Sequence, residues 1–386
     1  MLPKSQAGTP GIFAPILALT LYAIAAGYLM SLLPLSLAQF AFDDALASWL
    51  ASSFYIGLLA GTLGIEPVLK RLGFRPTYLA CLALFTLTAI ALPLYPQAWF
   101  WLALRLLAGF AVAGIFVVVE SWLMAGEPST RAKRLSLYMV ALYGGTAFGQ
   151  LGINLFGTSG AAPFISITLV MVAAFLVMVL LPNQAPNHHH SARLELKQIL
   201  KLNHSALFGC LISGLALSAI YGLMPLALAA RGIAEQDIGT LMALVILGGM
   251  AVQPLITLLN KYLAPSMLMV AFTLLGVLAL ALSLTSESLK VLALAVLLLG
   301  AASFALYPIA IDLGCQQLQE RYMISAAQVM LLSYSVGSVL GPLFAEPFMA
   351  HQHGFFTYLF ITLAFSAIYI LLASLRSEKA VSSESE

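Results

Sequence analysis

Two charged side chains lie inside long apolar runs, and chemistry is to be looked for there first. Arg105 falls about seven residues into the run that begins at Ala98. A cation at bilayer depth is costly unless it faces protein, water or an acid, so such a residue marks function by default. Coupling or substrate contact fits it, and so does a structural tie to nearby carbonyls. Glu120 lies on the same run, about 22 Å further along a helix at ~1.5 Å per residue, too far for the two to pair. It fits a proton carrier, a cap on local backbone, or a partner of Arg131 or Arg134. Glu66, Lys70 and Arg71 gather at the end of another apolar run. Glu66 and Lys70 stand one helical turn apart, the spacing of a helix-end ion pair, with gating as a second role.

A second set is uncharged: Tyr28, Gln150, Asn154, Tyr221, Gln253, Tyr307, Gln328 and Tyr334. Hydroxyl and amide groups amid apolar residues suit a neutral or amphiphilic small molecule. They equally suit interhelical hydrogen bonds. His188, His189 and His190 read as a solvated linker, with metal binding as the other reading. Cys81, Cys210 and Cys315 are far apart, show no metal spacing and read as small apolar side chains. The sequence has no Walker A, HExxH, GxSxG or Rossmann glycine pattern. We therefore expect neither enzyme nor cofactor, and no driving of transport by ATP.

The elements that must position these residues are membrane helices. Hydrophobic residues make up 61% of 386 positions and charged residues 8%, with mean hydropathy +0.99. Soluble domains carry roughly 25% charged residues. This much apolar surface needs lipid as its solvent, and the net charge of +2 gives no reason to expect nucleic acid. Runs of about 20 apolar residues span a bilayer as helices. Twelve are read: 12–36, 45–69, 77–95, 98–123, 134–156, 162–182, 205–229, 237–259, 265–285, 289–312, 323–349 and 354–375. The first exceeds the ~7–15 residues of a signal-peptide core and is read as a retained helix.

If the N-terminus is cytoplasmic, fourteen of the seventeen basic residues fall on the cytoplasmic side. That bias places both termini in the cytoplasm. Trp49, Trp99, Trp101 and Trp122 sit near span ends and are expected as interfacial anchors. Residues 1–182 are read as an N-terminal six-helix bundle, 183–203 as a polar central loop, 204–375 as a C-terminal six-helix bundle, and 376–386 as a disordered cytoplasmic tail.

The two halves repeat one another at an offset near 191. Pro34-Leu35-Ser36-Leu37-Ala38 matches Pro225-Leu226-Ala227-Leu228-Ala229. Gly61 with Glu66-Pro67 matches Gly248 with Gln253-Pro254, and Gly145 with Gly149 matches Gly337 with Gly341. A duplicated unit predicts two six-helix bundles related by a pseudo-two-fold axis, with a cavity between them.

With this plan the chain resembles the major facilitator superfamily over essentially its whole length. The family's loop after the second helix typically reads Gly-x-x-x-Asp-Arg-x-Gly-Arg-Arg. Here Arg71, Gly73 and Arg75 fit, while Glu66 replaces the glycine and Lys70 the aspartate. Arg105 and Gly109 fit the family's fourth-helix motif, with Ala108 where glutamine is common. More narrowly, the YcaD-like branch is resembled in Val117-Val118-Val119-Glu120-Ser121, Tyr221-Gly222-Leu223-Met224-Pro225-Leu226 and Leu331-Leu332-Ser333-Tyr334-Ser335-Val336-Gly337-Ser338. The resemblance implies an all-α fold in which helices 1, 4, 7 and 10 line the cavity. It implies secondary transport of a small organic molecule by alternating access, proton-coupled, by a monomer, with Arg105 in coupling. Efflux is favoured over uptake. The alternative is a sensor of the same fold that binds a ligand without moving it.

Overall fold

The structure is a computed structural model and describes residues 11–124, 130–181, 204–286, 288–315, 320–351 and 353–384. No strand occurs among them. The helices are α1 (Phe13–Leu35), α2 (Leu46–Leu72), α3 (Phe74–Leu94), α4 (Ala98–Met124), a composite α5 (131–156), α6 (Ala162–Leu180), α7 (His204–Ala230), α8 (Glu235–Leu259), α9 (Pro265–Thr285), α10 (Leu289–Cys315), α11 (Glu320–Ala345) and α12 (Gly354–Glu384). Among the described residues eleven helices are long and apolar enough to cross a membrane. The twelfth span, α5, is interrupted. It runs as Arg131–Met139, a π turn Val140–Gly144, Gly145–Gln150 and Gly152–Phe156.

Local chemistry sets the ends. α2 stops against Gly73, whose φ of 82° is open to glycine and costly for other residues, and α3 starts at the next residue. α12 is described to Glu384. Glu378, Lys379 and Ala380 are good helix formers, and neither glycine nor proline follows Arg376. The central loop and its histidines lie outside the described residues.

The repeat is physical. A Cβ on Gly149 would strike the Ile24 backbone carbonyl, so α1 and α5 touch backbone to backbone. Its counterpart Gly341 meets the Leu215 carbonyl, and Gly337 the Leu211 carbonyl, bringing α7 and α11 equally close. Gly57 and Gly109 clasp α2 to α4, as Gly248 and Gly300 clasp α8 to α10. Small residues drive such contacts because lipid offers no hydrophobic force between helices.

Two tryptophans depart from the interfacial expectation. Trp99 and Trp49 are exposed, but Trp101 and Trp122 are fully buried. Trp101 donates its indole N–H to the Leu92 carbonyl at 2.8 Å and packs edge-on against Phe40 and Phe42. It closes the α3–α4 corner instead of anchoring a lipid surface. Arg75, in the loop motif, donates to the Met178 and Val179 carbonyls at 3.2 and 2.8 Å. A cation there satisfies the orphan carbonyls at the end of α6.

Candidate functional site

The two halves meet near one face, the distal face, where α2, α8 and α10 begin and α5, α7 and α11 end. Ser52 of α2 donates to the Val339 carbonyl of α11 at 2.8 Å. Asn154 of α5 donates to Thr240 of α8 at 3.3 Å. Gly222 of α7 lies against Ala51, and Gly239 of α8 lies against the Gln150 carbonyl. The α2–α11 and α5–α8 pairs are equivalents under the repeat, so one kind of contact closes this face twice. At mid-depth Ala147 packs with Ala243 and Ile246, and Tyr143 meets Phe304 edge-on at 5.4 Å.

Beneath that seal lies a cavity of about 600 Å³, lined by α1, α2, α4, α5, α7, α8, α10 and α11, with Phe85 of α3. At its distal end Leu33, Ala47 and Leu50 are almost fully buried, at 4%, 3% and 1% exposure. Towards the face where α1 starts and α12 ends, Leu331 of the lining reaches 36%. The cavity is closed at the distal end, and its terminus-side lining, with Met139 and Ile311, is partly exposed.

Its wall carries six tyrosines, Tyr22, Tyr55, Tyr143, Tyr221, Tyr307 and Tyr334, and four phenylalanines, Phe54, Phe85, Phe116 and Phe304. Phe304 bridges the halves, packing against Tyr143 and against Tyr221 at 6.0 Å, while Tyr307 and Tyr334 meet at 5.0 Å. Tyr143 stands within the π turn of α5. A π turn inserts one extra residue and re-aims the side chains beyond it, a device common at functional sites.

Arg105 enters the cavity from α4. Its guanidinium lies over the Phe54 ring, 4.4 Å from the centroid, and its buried Nε has no hydrogen-bond partner. The structural tie to carbonyls is therefore not made by Nε. Tyr22 and Tyr55 are its electrostatic neighbours. No carboxylate lines the cavity among the described residues.

Glu120 is elsewhere, exposed at the surface of α4 towards its terminus-face end and outside the lining. It accepts a hydrogen bond from the Tyr138 hydroxyl at 2.8 Å. Tyr138 takes the place expected for Arg134, which is buried with Nη1 lacking a partner. Glu66 and Lys70 form the expected i, i+4 ion pair, 58% and 44% exposed, and Arg71 is exposed beside them.

The uncharged candidates divide. Tyr221, Gln253, Tyr307 and Tyr334 line the cavity. Tyr28, Gln150 and Asn154 do not. Tyr28 donates to the Gly157 carbonyl, and Gln150 is fully buried and accepts from Ser31. These two tie α1 to α5, and Asn154 belongs to the distal seal. The side chain of Gln328 lies outside the described residues. Tyr22, Tyr55, Tyr143, Phe54 and Phe304 also line the cavity, and nothing in the sequence sets them apart. In spans where almost every position is apolar, periodicity does not reveal which aromatic faces the interior.

Comparison with known proteins matches this architecture. The Major Facilitator Superfamily model covers residues 16–342. An uncharacterised MFS-type transporter of Enterobacter sp. (strain 638) is 34% identical over 370 residues, 93% of each chain. The MFS-type transporter YcaD of Escherichia coli O45:K1, also uncharacterised, is 35% identical over 372 residues, 93% of this chain and 94% of its own. Among solved structures, a variant of the nucleoside transporter NupG superposes with TM-score 0.77, covering 94% of this chain and 99% of that one at 14% identity. A bacterial homologue of the human lysosomal transporter Spinster, inward-facing and unoccupied, gives TM-score 0.75 over 94% and 96% at 14% identity. With its duplicated helices, its cavity between the halves and these relatives, the chain belongs to the major facilitator superfamily of membrane transporters.

Proposed function

We propose that this protein is a secondary active transporter that moves a small organic molecule by alternating access, with protons as the coupling ion and export as the direction. The observation that carries this reading is a cavity between duplicated halves, closed at the distal face by two repeat-related contacts and partly exposed on the terminus side. The excess of basic residues on the terminus side supports a cytoplasmic position for that side and both termini, with substrate loading from there. The membrane is the cytoplasmic membrane of a bacterium and the working unit is a monomer.

The halves are the moving bodies. In the outward-open state the α2–α11 and α5–α8 contacts part and the terminus-face ends of the helices meet. Glu120, hydrogen-bonded to Tyr138 towards the terminus-face end of α4, is the proton-carrying candidate. Glu66, Lys70 and Arg71 stand on the side that must close.

The test is flux. Purified protein reconstituted in liposomes, with a ligand found by thermal stabilisation, should catalyse ligand counterflow and ligand movement driven by a pH gradient. Stabilisation without flux in either direction would replace transport by the sensor reading. Flux indifferent to the pH gradient would remove protons as the coupling ion.

A further inference from the structure

We propose that the substrate is an amphiphilic organic anion, its acidic head held by Arg105 and its aromatic or aliphatic body lying along the tyrosine and phenylalanine wall. The identification of this anion as cargo rests on the transporter reading; its binding does not.

Arg105 is the one charged side chain in the described lining. Its face is stacked on Phe54, its Nε is buried without a hydrogen-bond partner, and no carboxylate lines the cavity with it. A buried charge lacking a counter-charge is expensive, and a partner that supplies both charge and hydrogen bonds recovers that cost. Guanidinium and a planar acidic group match as paired donors and acceptors, and such bonds are about twice as strong as neutral ones. The Phe54 ring covers one side of the guanidinium, leaving its N–H donors for a ligand.

Position adds to chemistry. Arg105 stands about 10 Å from the distal start of α4, at ~1.5 Å per residue, so it lies towards the blind end of the cavity, at the level of Phe54 and below Leu33, Ala47 and Leu50. A ligand entering from the terminus side passes Tyr22 and Phe116 before it meets the cation, so its head leads and its body trails along these rings. Glu120, the nearest acid on the same helix, is near the other end and outside the lining. A cationic ligand would therefore find repulsion at the blind end and no carboxylate to offset it. A fully neutral ligand would leave Arg105 as it is. The volume of about 600 Å³ accommodates a body of two or three fused rings and excludes polymers.

Three probes of one body decide it: naphthalenesulfonate, its neutral sulfonamide and naphthylmethylamine. Each is titrated against the purified full chain in detergent by thermal shift and calorimetry. The sulfonate should raise the melting temperature and bind at least about tenfold more tightly than the other two. Arg105→Gln should weaken the sulfonate by about tenfold or more, while Arg105→Lys, which keeps the charge, should retain most of the binding. Equal or tighter binding of the sulfonamide or the amine overturns the proposal. So does sulfonate binding indifferent to a folded Arg105→Gln, or binding of none of the three. Should Arg105→Gln fail to fold, the wild-type triplet still decides. Sulfonate bound but not exchanged across reconstituted liposomes would sink the transporter reading and leave the anion site standing.

Discussion

At the scale of single residues, the structure separates side chains that look alike in sequence. Arg105 and Glu120 share one helix, yet one lines the cavity and the other lies outside it beside Tyr138. We expect Glu120→Gln to abolish ligand movement driven by a pH gradient while ligand counterflow continues, as measured in liposomes. Tyr138→Phe removes only the hydroxyl that holds the carboxylate, and it should alter the pH dependence of flux more than ligand affinity. Full gradient-driven transport by Glu120→Gln would take the proton role from this residue. Glu66→Gln is a contrasting case. An exposed i, i+4 pair contributes about 0.5 kcal/mol or less, so the variant should melt within a degree or two of the parent. Any transport defect in it would then be a matter of gating and not of folding.

At the scale of elements, glycine placement decides which helices touch. Gly149 on α5 and Gly337 on α11 each abut a backbone carbonyl of the facing helix. A leucine at either site has nowhere to go without separating the helices, a cost of about 2 kcal/mol or more. Gly149→Leu and Gly337→Leu should each lower the melting temperature in detergent, by similar amounts because at each site an added side chain runs straight into a backbone carbonyl. An unchanged melting temperature in either would show that the close approach is not real. By contrast, Gly144 of the π turn has open space around an added Cβ, so Gly144→Ala should cost little in the same measurement. The turn itself shows why α5 is not a plain span. Its extra residue brings Tyr143 against Phe304 of the other half.

At the scale of the whole molecule, the distal seal must open once in every transport cycle. Asn154 and Thr240 face each other across it at 3.3 Å. Cysteines at both positions, in a chain with Cys81, Cys210 and Cys315 replaced, should be joined by a short bifunctional thiol reagent. Counterflow should then stop, and reversal of the link should restore it. Continued transport by the fully joined protein would mean that this face does not move.

The sequence alone determined that the chain lives in lipid, that it is helical, that it is duplicated and which family it resembles, because these properties reside in composition, run length and spacing. It also singled out Arg105, since a lone cation in an apolar run is conspicuous wherever the run folds. Tertiary structure decided the rest. Tyr28 and Gln150 are as polar as Tyr221 and Gln253, but the first pair fastens α1 to α5 and the second lines the cavity. Trp101 and Trp122 sit at span ends like Trp99, yet tertiary packing buries them, Trp101 against Phe40, Phe42 and the end of α3 and Trp122 against Phe74. In a membrane helix nearly every face is apolar, so the pattern along the chain does not tell lipid from protein from cavity. That distinction is made by the neighbouring helices, and it exists only once they have packed.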